Sequence, residues 1–299
     1  MKVNRIRQNV LPILAAFIWG TAFVAQSMAA EFVGPFTFNA ARAVIAFFFL
    51  LGLCALLRIM RKKQGKPSMT ASRKDLFLGG LCCGTALAVA SNLQQKGIET
   101  TTSGKAGFIT ALYIVLVPIA GLFLNRRVGK MVWMGVLLAM AGLYCLCITE
   151  EFTVAEGDFY LLACAVCFTA QIMAIDHFAR KVDGTELSCA QFFVVAIIST
   201  IGMLITESPS LEALSHCLLP VLYVGIFSSG VAYTLQILAQ KDSNPTVVTL
   251  LLSLESVFAT IAGAVILHDH MSLREYLGCA MMLLAVVLAQ LPEKTAAKE

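Results

Sequence analysis

The chain has 299 residues, 59% of them hydrophobic and only 13% charged, where an ordinary soluble domain carries roughly 25% charged. That composition excludes a water-soluble globule, because apolar runs of helix length recur from end to end with too little polar surface to cover them. A formal net charge of +4 says less about partners than the placement of the basic residues does.

At the start, Lys2, Arg5 and Arg7 precede an apolar run ending in Ser27-Met28-Ala29-Ala30, the outline of a secretory signal peptide. The internal repeat described below needs this segment as a retained first helix. Membrane helices are predicted near residues 9–28, 36–57, 76–95, 106–124, 131–149, 159–175, 188–206, 218–239, 246–267 and 276–291, most of them near the ~20 residues that cross the hydrocarbon. The first holds Trp19 and Thr21, and the second holds Arg42 about 9 Å from its start, where the side chain can snorkel or brace the bundle. Arg58 to Lys74 form a basic connection, and the third helix carries Asn92. In the fourth, Tyr113 lies well inside the span, and Pro118 removes a backbone donor and predicts a kink.

The sixth helix holds Thr169 and Gln171 and ends at Asp176 and His177, read as a solvated helix end. The eighth holds Ser228, Ser229, Tyr233 and Gln236. Aromatic residues at mid-span are not interfacial belt residues, so Trp19, Tyr113 and Tyr233 are candidates to face a central cavity. Phe47 and Phe49 are expected to face lipid. Glu255 falls about 14 Å into the ninth helix, near the midplane. An ionisable group there needs a partner, a proton or a wet cavity. It reads either as a substrate-ammonium or proton site, or as a glutamate that stitches helices together. Candidate substrate contacts are therefore Trp19, Thr21, Asn92, Tyr113, Thr169, Gln171, Ser228, Ser229, Tyr233 and Glu255, with Arg42 and Glu255 as coupling or structural charges. Glycine pairs such as Gly80/Gly84 and Gly135/Ala139 have the small-xxx-small spacing of close helix packing.

With the N-terminus inside, 18 of the 22 Lys and Arg fall on the inner side, three on the outer side, and Arg42 within a span, which predicts both termini cytoplasmic. Trp19-Gly20-Thr21-Ala22 corresponds to Cys167-Phe168-Thr169-Ala170, Arg42 falls opposite Gln191, Gly80 and Gln95-Lys96 match Gly225 and Gln240-Lys241, and Gly135 matches Gly278. Residues 1–150 and 151–299 therefore read as two five-helix repeats. An odd number of spans per half makes the repeat inverted. The expected fold is all-α, a polytopic membrane protein with ten transmembrane helices in a 5+5 inverted-topology repeat.

Trp19-Gly20-Thr21-Ala22-Phe23-Val24, Arg42, Leu254-Glu255-Ser256-Val257-Phe258-Ala259, and His268-Asp269-His270-Met271-Ser272 with Gly278 resemble the motifs of EamA-type members of the drug/metabolite transporter superfamily. The resemblance covers essentially the whole chain. It implies a central cavity lined mainly by helices one, three, four, six, eight and nine, and it implies transport. Ser256 stands where proline is common and Asp269 where glutamate is common, so a proline kink is not expected in helix nine.

The expected function is a secondary transporter of the cell inner membrane moving amino acids or similar amphipathic solutes, in export, by alternating access. Its partners are a small-molecule substrate, the lipid bilayer and protons, with monomer and homodimer both open. No enzyme activity, cofactor, metal or nucleic acid is expected. Rivals are a receptor, for which no soluble sensing domain is present, a flippase for lipid-linked substrates, and a membrane-embedded enzyme. The enzyme would need clustered catalytic residues within the spans, whereas His177, His216, His268 and His270 lie at helix ends or in loops. Cys164 and Cys167 have C-x-x-C spacing without a second pair and read as small hydrophobes. No G-x-x-x-x-G-K-[ST] loop occurs, which disfavours ATP-driven pumping.

Overall fold

Every predicted apolar run forms a helix in the computed structural model, which describes residues 6–64, 72–98, 100, 103–124, 128–148, 155–241, 243–266 and 271–291. Among the described residues, ten helices are long and apolar enough to cross a membrane. They are α1 Gln8–Ala30, α2 Pro35–Lys63, α3 Arg73–Ile98, α4 Ala106–Phe123, α5 Lys130–Cys147, α6 Glu156–Phe178, α7 Gly184–Thr206, α8 Leu218–Gln240, α9 Pro245–Ala262 and α10 Leu273–Gln290. A short helix, Leu211–His216, leads into α8. Lys2, Arg5, Lys66, Arg126, Arg127, the His268-Asp269-His270 turn, Lys294 and Lys298 lie outside the described residues.

Helix starts follow local chemistry. Pro35 opens α2 after an extended Gly34, its fixed φ suiting the first helical position. Asn244 accepts the Thr246 N–H at 2.9 Å ahead of Pro245 in α9. Ser272 and Glu275 form a reciprocal capping box on α10.

Two expectations are corrected. The basic connection is partly helical: α2 runs on to Lys63, with Arg61, Lys62 and Lys63 in its last turn, where cations suit the helix dipole. Asp176 is buried rather than solvated, and Arg180 donates to it at 3.2 Å.

The helices pack in matching sets. α2 lies against α7, α5 against α10 and α4 against α9. The contacts α3–α6, α4–α6 and α3–α7 recur five helices on as α8–α1, α9–α1 and α8–α2. Between α5 and α10 the backbones nearly touch: a Cβ on Gly142 would stand 3.0 Å from the Gly278 carbonyl oxygen, and one on Gly278 would stand 2.8 Å from that of Gly142. Only small residues permit such an approach.

α2 and α7 run antiparallel and are joined at both ends. At one end, Glu207 accepts the N–H groups of Phe36 and Thr37 at 2.9 and 2.8 Å and the Thr37 hydroxyl at 2.6 Å, satisfying donors that a helix start leaves free. At the other, Arg58 donates to Glu186 and Arg61 to Asp183, each at 2.8 Å. These are called the Glu207 end and the Asp183 end of the bundle below.

Asp183 also accepts the N–H groups of Thr185 and Glu186 at 3.0 and 3.3 Å, capping α7. Burial pushes its carboxyl up, and the Arg61 hydrogen bond and charge with the two backbone donors outweigh that, holding it below its ordinary value. The linked stability is therefore complete above the ordinary carboxylate range and is lost as pH falls through the lowered value. Asp183→Ala is expected to cost about 1 kcal/mol, and Asp183→Asn less, because the amide oxygen still caps. Thermal unfolding in detergent across acidic pH checks this. A gap between wild type and Asp183→Asn that does not shrink on acidification removes the ionised clamp from the account.

Candidate functional site

Both α4 and α9 are broken near mid-length. In α4 the α-helical pieces are Ser103–Thr110 and Tyr113–Phe123, and the bonds at the break tighten to i→i−3. Pro118 lies inside the second piece, and its missing N–H leaves the Ile114 carbonyl, just past the break, without its usual helical donor. In α9 the pieces are Pro245–Leu252 and Glu255–Ile266, so the helix is interrupted although Ser256 stands where a proline would kink it. Ser253 supplies the cause: its hydroxyl donates to the Leu250 carbonyl at 2.8 Å, and such back-bonding bends helices.

The two breaks put Tyr113 and Glu255 at the first positions of their second pieces, facing each other. The Tyr113 hydroxyl donates to Glu255 Oε1 at 3.5 Å. A carboxylate in the first turn of a helix piece also meets unsatisfied backbone N–H groups and the positive dipole end.

Around this pair lies a cavity enclosing about 610 Å³, part of it open to solvent, and lined by side chains from seven helices, including Arg42, Gln171 and Ser228. Trp19 donates its indole N–H to the Ser228 carbonyl at 3.2 Å, and its ring meets Tyr233 edge-on at 4.8 Å. Ser228 belongs to a π-helical stretch, Val224–Ala232, and wide turns of this kind recur at functional sites. Toward the Glu207 end the lining includes half-exposed Gln26 and Gln94; toward the Asp183 end it closes on buried Gln171, Ile172 and Gln236.

Arg42 is buried, with its guanidinium 3.5 Å from Gln26 and 5.5 Å from the centre of the Phe38 ring. Among the described residues no ion pair joins it to Glu255. Tyr233 lines the same cavity as both.

Of the predicted contacts, Trp19, Arg42, Tyr113, Gln171, Ser228, Tyr233 and Glu255 share this cavity. The other four lie elsewhere. Thr21 meets the Tyr223 hydroxyl at 2.7 Å and bonds back to its own helix. Asn92 joins Asn39 and Ser199 in a buried network tying α2, α3 and α7. Thr169 donates to the Ala165 carbonyl, and Ser229 is fully buried outside the lining. Phe47 packs on Phe193, and Phe49 lies where a Cβ on Gly230 would fall, so Phe48 is the aromatic residue of that run that faces outward.

Gln26, Gln94, Thr110, Phe168, Ile172 and Leu252 also line the cavity and were not singled out from the sequence. The available signal was spacing: Thr110 with Tyr113, Phe168 with Gln171, and Leu252 with Glu255 stand three apart, on shared helix faces.

The sequence model of the EamA-like transporter family matches twice, over residues 8–148 and 155–291. A protein of Archaeoglobus fulgidus named an uncharacterized transporter is 31% identical over 290 residues, covering 97% of this chain and 87% of its own. A WAT1-related chloroplast protein of Arabidopsis thaliana is 25% identical over 295 residues, covering 93% of this chain and 68% of its own. A crystal structure at 18% identity superposes with a TM-score of 0.78 over 95% of this chain and 96% of that one; at that identity the likeness is one of fold.

Proposed function

Because the chain belongs to the EamA-like transporter family, we propose that it carries small zwitterionic metabolites such as amino acids out of the cell across the inner membrane by alternating access. The observation that carries this is the cavity itself, where the Arg42 guanidinium and the Glu255 carboxyl group line the same space with no ion pair between them among the described residues. A zwitterion supplies both missing partners, its carboxylate to Arg42 and its ammonium to Glu255, and desolvated charges of this kind are costly without partners. Trp19, Tyr113 and Tyr233 supply apolar wall for the rest of the molecule. Thr21, Asn92, Thr169 and Ser229 are assigned to helix packing.

In this reading 1–150 and 151–299 are two five-helix repeats, and helices of each move about the α2–α7 pair to open the site on alternate sides. The recurring helix contacts and the two family-model matches support that division. Orientation follows the 18:3 split of basic residues, which puts the Asp183 end in the cytoplasm.

The test is purified protein in liposomes, loaded with a pool of radiolabelled amino acids. Efflux above that of protein-free liposomes is expected, and its absence for every amino acid, in either vesicle orientation, would sink the substrate reading. A reporter active only in the periplasm should be silent at Gly65 and after Glu299 and active near Glu156. Termini on opposite sides would overturn the orientation.

A further inference from the structure

Buried amide groups with unmet hydrogen-bonding capacity collect on α6, α7 and α8 toward the Asp183 end. Gln171 and Gln191 are fully buried and share one bond, from Gln171 Nε2 to Gln191 Oε1 at 3.1 Å. This leaves Gln171 Oε1 and Gln191 Nε2 without partners. On α8, Gln236 Oε1 and Gln240 Oε1 are likewise unpartnered and shielded, although Gln240 donates its Nε2 to the Ile172 carbonyl at 3.2 Å. Turning the Gln171 and Gln191 amides over changes nothing, since each has two polar groups and one partner between them.

Native interiors leave few polar atoms in this condition, because each costs free energy that water would otherwise recover. Four such glutamines between a cavity floor and one face of the bundle call for a reason that packing does not give. A comparable contact in the other half supplies one. Arg42, the counterpart of Gln191 in the repeat, meets Gln26 at a long 3.5 Å on the side where the cavity opens. The Gln171–Gln191 contact sits where the cavity is shut.

We infer that Gln171, Gln191, Gln236 and Gln240 form the closed gate of a second passage, from the cavity floor to the Asp183 end. This rests on the alternating-access reading above. When α6 and α8 draw away from α7, the Gln171–Gln191 bond and the 2.9 Å bond from Thr234 to Ser188 break. Water and the carried solute then take up the groups left unpaired. The gate is held shut by contacts that leave polar groups unsatisfied, so it opens readily. Replacing both members of the Gln171–Gln191 pair by apolar residues of similar shape removes the unmet groups and favours the shut form.

The experiment uses the full chain in vesicles with Gln240→Cys as reporter and a charged, membrane-impermeant methanethiosulfonate applied from the Asp183 side. Peptide mass spectrometry reads the label at position 240 apart from the native cysteines. Position 240 is expected to label with time, and Gln171→Leu with Gln191→Leu should slow that labelling about tenfold or more, the equivalent of ~1.4 kcal/mol in the opening equilibrium, without lowering the Tm. Gln94→Cys, labelled from the opposite face, should react in both backgrounds and reports that the leucine variant is folded. If the double variant does not fold, Gln191→Met alone breaks the pair with less change of shape and should slow labelling in the same direction. No label at 240 in the wild-type background, or a rate unchanged by the substitutions, overturns the gate. Labelling as expected with no amino-acid efflux would leave the gate standing and remove the substrate reading.

Discussion

Glu255→Gln abolishes accumulation driven by a pH gradient and leaves downhill exchange of the same solute in place at a raised KM, because the amide oxygen still accepts from the ammonium without its charge. The carboxyl group sits at the break in α9, touches Tyr113 and lines the cavity, so it can meet protons from each side in turn as access alternates. Glutamine keeps the shape and most of the hydrogen bonding and cannot carry the proton. Tyr113→Phe removes one weak bond and should cost far less. The comparison is made in liposomes with matched amounts of folded protein, with and without an imposed gradient. An unchanged gradient response in the glutamine variant takes Glu255 out of the coupling, and loss of both transport modes leaves it a substrate contact only.

Gly20→Val should prevent recovery of monodisperse protein. α1 and α9 cross at this position with almost no gap: a Cβ on Gly20 would lie 2.6 Å from Phe258 Cβ, 2.7 Å from the Glu255 carbonyl oxygen and 2.8 Å from the Ala259 nitrogen. Two of these are backbone atoms and the third is a Cβ, none of which can swing aside. Overpacking of this kind typically costs about 1–3 kcal/mol even where neighbours can shift. Gly20→Ala should fold with a lowered Tm and impaired transport, because the same displacement moves Glu255. Gly52, with nothing within 4 Å, is the control. Gly52→Ala should raise the Tm slightly, since alanine holds a helix better by about 1 kcal/mol. Equal behaviour of the two alanine variants would show that the α1–α9 contact is not tight in solution.

The ten spans were readable because lipid demands long apolar runs, and each run left its mark on composition. Their ends were less readable. Arg58 to Lys63 look like a loop by charge, yet the partners that keep them helical, Asp183 and Glu186, lie over a hundred residues away. Asp176 looked solvated for the same reason, since its burial comes from neighbouring helices. Within the site, Trp19, Tyr113, Tyr233 and Glu255 were legible because large or ionisable polar side chains at mid-span need a reason to be there. Thr21, Thr169 and Asn92 carried no comparable signal: a small polar group in a helix can satisfy itself on the carbonyl one turn back, and sequence does not say which face it occupies. The break in α9 was hidden because no proline marks it and a serine back-bond has no signature in sequence.

The paired fastening of α2 to α7, one at each end, has a mechanical consequence. Two rods pinned together top and bottom can roll but cannot spread, so the pair behaves as an axle through the molecule. In the proposed alternating-access cycle, helices on either side would work like the arms of a seesaw: a tilt that parts them above the pivot presses them together below it. A solute held at the pivot need not climb through the protein at all, because the opening changes sides around it.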